Sequence, residues 1–300
     1  MLEKQLFYGV YTALVTPMTE DGSTDWVTLE KHVEAQIASG VDGLVPMGTT
    51  GESPTHNAEE HIKVIREVVR IANGRTFVIA GAGANSTREA LHLTKMSEEA
   101  GADAFLQVAP YYNKPSQEGV FQHLKKIAES TGKPIMLYSI PGRCGIDIAV
   151  DTVKRLAEEC PNIRTIKEAG GDAGRVRALL QACPELTVLS GDDGLIPAFV
   201  EAGAKGVVSV ASNFAPEIIK TITTACLEGN TKESADLVEK WKPLLTDLVF
   251  MDGNPVTIKE VMYQAGRLPS PRVRLPLVRT GTENQTRIRE LLQSINLLSA

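Results

Sequence analysis

Eight short apolar runs recur along this chain of 300 residues, at 10–15, 43–46, 77–80, 104–108, 135–138, 164–167, 188–190 and 206–208, with amphipathic patterns between them. Successive starts lie roughly 20 to 35 residues apart, the length of a strand–helix unit. Eight such units predict a closed parallel (β/α)₈ TIM barrel. A weak internal repeat points the same way. Ser39-Gly40-Val41-Asp42-Gly43-Leu44-Val45, Ala100-Gly101-Ala102-Asp103-Ala104-Phe105-Leu106 and Ala202-Gly203-Ala204-Lys205-Gly206-Val207-Val208 share one design. In each, a helix ends, glycine takes a left-handed cap position, and a buried strand follows within two or three residues.

The intervening helices carry their own signals. Asn57 and Glu60 form a capping box for a helix that buries Ile62, Ile65, Val69 and Ala72. Ser116 caps a second that buries Val120, Leu124 and Ile127, and Pro216 suits the first turn of the eighth. The remaining chain reads as helical. Leu237, Val238, Trp241, Leu244, Leu245, Leu248 and Val249 make one helix face that Pro243 should kink, and further helices are predicted at 255–265 and 282–297. The expected organisation is therefore a catalytic barrel over 1–228 and a C-terminal helical extension over 229–300, packed on it.

Composition narrows the function classes. A hydrophobic content of 43% supports a large core, and a net charge of -6 without a basic run argues against nucleic acid or an anionic membrane as partner. The first ten residues lack the apolar core of a secretory signal, and no apolar stretch approaches the ~20 residues of a membrane span, so a cytoplasmic protein is expected. Cys144, Cys160, Cys183 and Cys226 form no CxxC pair and read as scattered reduced thiols. Gly81-Ala82-Gly83-Ala84-Asn85-Ser86 lacks the third glycine of a dinucleotide loop. The histidines His32, His56, His61, His92 and His123 show no HExxH spacing and read as surface residues, His61 in part excepted.

In such a barrel the chemistry belongs to the C-terminal ends of the strands. Those ends carry Gly48-Thr49-Thr50-Gly51-Glu52-Ser53, Pro110-Tyr111-Tyr112-Asn113, Tyr138 followed by Ile140-Pro141-Gly142-Arg143, Lys167, and Ser190-Gly191-Asp192-Asp193. The 48–51 loop offers hydroxyls and backbone N–H groups suited to a carboxylate. Arg143 is a candidate clamp for a second one. Asp192 and Asp193 have no His or Cys beside them, which favours a capping role over a metal. Lys167 carries the most information. It ends an apolar strand and is followed by Glu168-Ala169-Gly170-Gly171. An ammonium at such a place either snorkels to water or, held dry, loses its proton and becomes a nucleophile toward carbonyls. Tyr138, at the end of its own apolar strand, reads by itself as a core aromatic with its hydroxyl satisfied.

Together the segments GTTGES, PYYNKPSQEG, YSIPGR, IKEA and SGDD make the set specific, and from Thr16-Pro17 to the C-terminal helices the chain resembles the dihydrodipicolinate synthase/N-acetylneuraminate lyase family. The resemblance implies a class I aldolase. Pyruvate forms a Schiff base with Lys167 and condenses with aspartate semialdehyde on the route to diaminopimelate and lysine, with no cofactor and no metal. It assigns a proton relay to Tyr138, Thr49 and Tyr112, the last supplied across a dimer interface. Thr50 matches the position that binds the pyruvate carboxylate, Arg143 the one that receives the semialdehyde carboxylate, and Gly191 and Val208 those whose carbonyls line the pocket. A lysine-binding regulatory cleft maps to Ser53, Pro54, Ala58, His61, Asn85, Glu89 and Tyr111, with Ala58 replacing a larger side chain. A homotetramer, as a dimer of dimers, is implied. Ser139 and Cys144 depart from the family pattern and are expected to reshape the second-substrate side. The rival readings are a neuraminate or keto-deoxy sugar acid aldolase of the same fold, and a barrel that has lost catalysis.

Overall fold

The three repeated turns fold as their glycines require. Gly40, Gly101 and Gly203 have φ of +73°, +94° and +110°, and each leads into a strand. The computed structural model describes residues 7–248 and 251–298. Its strands are β1 (Gly9–Ala13), β2 (Gly43–Val45), β3 (Phe77–Gly81), β4 (Ala104–Val108), β5 (Ile135–Ser139), β6 (Ile163–Glu168), β7 (Thr187–Ser190) and β8 (Gly206–Ser209). They form a closed barrel in which every neighbouring pair is parallel. The strands read as continuous apolar runs because both faces are covered, one by the barrel interior and one by helices.

Closure is tight where β1 meets β8. Gly206 pairs with Gly9, and a Cβ on Gly206 would stand 2.0 Å from the Gly9 carbonyl oxygen. Only glycine fits there. The first strand is shorter than its apolar run: after Leu14, whose N–H still donates to the Val45 carbonyl at 3.0 Å, the backbone turns to a side chain. Asn213 accepts from the Val15 N–H at 3.0 Å and donates to the Ala13 carbonyl at 2.7 Å. His32 Nε2 lies 3.0 Å from the same Asn213 oxygen.

Around the barrel run α1 (Trp26–Ala38), α2 (Ala58–Ala72), α3 (Thr87–Glu99), α4 (Gln117–Ala128), α5 (Val150–Glu159), α6 (Ala173–Ala182), α7 (Ile196–Glu201) and α8 (Pro216–Leu227). The Asn57–Glu60 capping box and the Ser116 cap are both formed. The reading of the histidines as surface residues holds for His92, which is exposed, while His56 is half-buried. It fails for His32 and His123, which are buried, as is His61. Helix periodicity placed them on helices correctly, but an imidazole serves equally on the inner face when a polar group waits there. Those groups are Asn213, the Gly81 carbonyl and Thr87.

Among the described residues, α9 (Thr231–Lys242), α10 (Val256–Gln264) and α11 (Thr282–Ser294) follow. The predicted kink at Pro243 takes the form of a π-type turn over Pro243–Asp247, since proline has no N–H to continue the ladder. Val249 lies outside the described residues. Among the described residues no helix is long and apolar enough to cross a membrane.

Every residue from Val256 to Met262 in α10 is buried, including Lys259 and Glu260. Lys259 Nζ pairs with Glu52 of the loop after β2 and donates to the Arg272 carbonyl at 2.9 Å. The second Glu52 oxygen accepts from the Arg274 N–H at 3.0 Å. The Arg274 guanidinium in turn reaches Glu60 at 2.9 Å. Breaking one side of such a pair strands a charge out of water. Lys259→Met alone is expected to cost roughly 3–5 kcal/mol. Glu52→Gln with Lys259→Met should recover much of that, as measured by denaturant unfolding; equal losses for the single and double variants would contradict the pairing.

Candidate active site

β6 delivers Lys167 and β5 delivers Tyr138, and the two residues are direct partners in the sheet register. Side chains at register partners leave the same face, so the Lys167 amine stands over the Tyr138 ring with Nζ 4.3 Å from its centroid. Lys167 is only 5% exposed. Burial lowers its pKa from 10.5 to about 8, against the opposing pull of Asp192 and Asp193 and with a smaller contribution from Arg143. At pH 7 roughly a tenth of such amines are neutral, against about one in a few thousand for a lysine in water. Snorkelling, the bland reading of this lysine, is excluded.

The Tyr138 phenol is held protonated. Burial raises its pKa, while Arg143 and a hydrogen bond with Thr49 pull the other way. Thr49, Tyr138 and Arg143 all face one cavity of about 490 Å³. Lys167 itself is not part of that cavity's wall. Gly191 packs against the lysine stem: a Cβ there would lie 3.1 Å from Lys167 Cε and 2.6 Å from Ala169 Cβ. Val208 is fully buried in β8, paired with Tyr11 of β1. Thr50 is buried, and its hydroxyl accepts from Asn254 Nδ2 at 2.8 Å. Arg143 is exposed at the end of the single helical turn Pro141–Cys144 and donates to the Asn254 carbonyl at 2.9 Å.

Tyr112 stands apart. It is 86% exposed with φ of +75°, and it does not line the cavity. Tyr111 does line it, together with Ser53, Pro54, Ala58, His61 and Glu89. The residues picked out for a regulatory cleft thus share the cavity with Tyr138. Asn85 is absent from the wall and instead donates to the Tyr111 carbonyl at 3.1 Å. His61 Nε2 is engaged by the Gly81 carbonyl at 2.7 Å, and burial drops its pKa to about 4. The ring is neutral at physiological pH, with Nδ1 left as an acceptor.

Two expectations need correction. Asp192 begins the 3-10 turn Asp193–Leu195, but its side chain makes no capping bond. The bracing falls to Asp193, which accepts from the Val210 and Ala211 N–H groups at 3.0 and 2.9 Å and ties the ends of β7 and β8 together. Ser139 does not line the cavity. It is fully buried and its hydroxyl accepts from the Ile148 N–H at 3.3 Å; only Cys144 reaches the cavity. Sequence reasoning missed His56, which also lines the cavity, and Asn254. Glu168, next to the lysine, turns to the other side of the sheet, where its carboxylate accepts from Arg175 at 2.8 Å and from the Gly170 N–H at 2.9 Å.

A model of the Dihydrodipicolinate synthetase family matches residues 6–295. A Persephonella marina protein named 4-hydroxy-tetrahydrodipicolinate synthase is 42% identical, over 98% of this chain and 100% of its own. The structure superposes on the chloride-inhibited dihydrodipicolinate synthase of Acinetobacter baumannii complexed with pyruvate, with a TM-score of 0.94, 42% identity and coverage of 97% and 100%. It also superposes on the enzyme of Cyanidioschyzon merolae with lysine bound, at a TM-score of 0.93, 37% identity and coverage of 97% and 99%.

Two outcomes follow from the buried amine. Trapping of a keto acid on Lys167 should rise about tenfold per pH unit below pH 8 and level off above it, read by borohydride reduction and mass spectrometry. Because the folded-state pKa lies below the unfolded one, the unfolded chain binds more protons between about 8 and 10.5. Stability therefore rises with pH across that window. At pH 7 Lys167→Met should stabilise the protein, by at most roughly 3 kcal/mol; a lower melting temperature would contradict a desolvated amine.

Proposed function

The chain belongs to the dihydrodipicolinate synthetase family, and from that premise we propose that it condenses pyruvate with L-aspartate 4-semialdehyde to 4-hydroxy-tetrahydrodipicolinate through a Schiff base on Lys167. The observation that carries the reading is the position of that amine, buried over the Tyr138 ring at 4.3 Å with a pKa of about 8.

The neutral amine adds to the pyruvate ketone and water leaves, giving a protonated imine. That imine draws electrons from the methyl group, which loses a proton and becomes an enamine. The enamine carbon attacks the semialdehyde's aldehyde, and the substrate's own amine then displaces Lys167 as the ring closes. Each step moves a proton. The Tyr138 phenol, kept protonated by its surroundings and hydrogen-bonded to Thr49, is suited to pass them. Tyr112 of a second copy completes the relay, which accounts for an aromatic ring left exposed at 86%. Thr50 holds the pyruvate carboxylate, Arg143 the semialdehyde carboxylate, and the carbonyls of Gly191 and Val208 line the pocket. The lysine needs no cofactor for this chemistry. The assembly is a homotetramer built as a dimer of dimers. Ser53, His61, Glu89 and Tyr111 receive lysine as an inhibitor, with Glu89 facing its ammonium group and Asn85 holding the Tyr111 backbone.

Pyruvate plus aspartate semialdehyde, coupled to the next reductase, tests the activity. Turnover lost in Lys167→Ala and reduced at least about a hundredfold in Tyr138→Phe is the expected result. Folded protein that gains no pyruvate mass on Lys167 after borohydride treatment would overturn the reading. Activity unchanged in millimolar lysine would remove the regulatory assignment alone.

A further inference from the structure

Asn254 belongs to none of the eight strands, yet it touches both residues assigned to carboxylate recognition. Its Nδ2 donates to Thr50 Oγ1 at 2.8 Å, and its backbone carbonyl accepts from Arg143 Nη2 at 2.9 Å. Its own side-chain oxygen is buried without a hydrogen-bond partner among the described residues. In this orientation the amide turns an N–H toward the threonine and its oxygen away from it. Asn254 therefore faces Thr50 as a donor.

The direction of that bond matters. A threonine hydroxyl has one proton, and a hydroxyl that accepts from a neighbour keeps its proton for another partner. Thr50 is 3% exposed, so water does not compete freely for the proton. We propose that Asn254 is a positioning residue of the site: by donating to Thr50 Oγ1 it directs the hydroxyl proton toward the carboxylate of a bound α-keto acid. The inference rests on the reading of Thr50 as the group that holds this carboxylate. The Arg143 bond uses the Asn254 backbone, so side-chain substitutions leave that contact in place.

Asn254→Asp provides the test because it keeps the shape and reverses the polarity. An aspartate at this position can only accept, so it takes the Thr50 proton away from the substrate carboxylate. The pyruvate concentration that half-saturates borohydride trapping on Lys167, and the KM for pyruvate, should rise at least about tenfold, while trapping at saturating pyruvate still goes to completion. In a Thr50→Val background most of that increment should vanish, since the hydroxyl that relays it is gone. A normal pyruvate KM in Asn254→Asp alongside a raised one in Thr50→Val would overturn the inference and leave the Thr50 assignment intact. An Asn254→Asp effect undiminished in Thr50→Val would overturn it too, by showing a direct charge effect. Thr50→Val with normal pyruvate KM would remove the assignment beneath it. If Asn254→Asp does not fold, as judged by thermal melting, Asn254→Ala carries the same comparison with an expected rise of a few fold.

Discussion

The cost of taking the Lys167 amine out of water sets the chemistry of the whole barrel mouth. Burial alone would drive the amine toward neutrality, and Asp192 and Asp193 restrain it. Desolvation wins by enough to bring the pKa to about 8, which leaves the amine protonated most of the time and neutral often enough to react. The residues packed around the lysine support this balance. Gly191 leaves room for the lysine stem, and the Tyr138 ring covers its head. Asp193 spends one carboxylate oxygen on two backbone N–H groups and so stays fixed in place.

The barrel was legible because its signals are local. A parallel strand covered on both faces must be apolar throughout, and a helix ending in a left-handed glycine before a strand leaves a fixed mark, as at Gly40, Gly101 and Gly203. Lys167 and Tyr138 were legible as polar endings on apolar runs. What stayed hidden depends on partners remote in sequence. Asn254 meets Thr50 across 204 residues, and Lys259 meets Glu52 across 207. Nothing near either position signals the match. The histidines were misjudged for a related reason: His32 and His123 are buried by what lies opposite them, not by what flanks them.

The helices after the eighth strand–helix unit are more than an outer layer. Through Glu52 they anchor the loop that carries Thr49 and Thr50, and through Asn254 they reach Arg143. The Glu52 loop is itself constrained. Its residue sits at φ of +60°, and its carbonyl accepts from Thr55 and faces His56 Nδ1 at 2.9 Å. A carboxylate held this firmly at the base of a loop fixes the hydroxyls at its crown, and rigid support of that kind is what a reactive site requires of its surroundings.

Lys167 and Glu168 are neighbours of opposite charge, yet they do not neutralise one another. The pleat of β6 sends one into the ring of strands and the other toward the helices, where Arg175 receives it. The charges that act on the lysine come from Asp192, Asp193 and Arg143, all from other segments. A single layer of backbone thus works as an insulator between two circuits, one tuned for reactivity and one for adhesion. Either side can be altered in composition without retuning the other, so the reacting amine and the helical jacket are free to diverge independently.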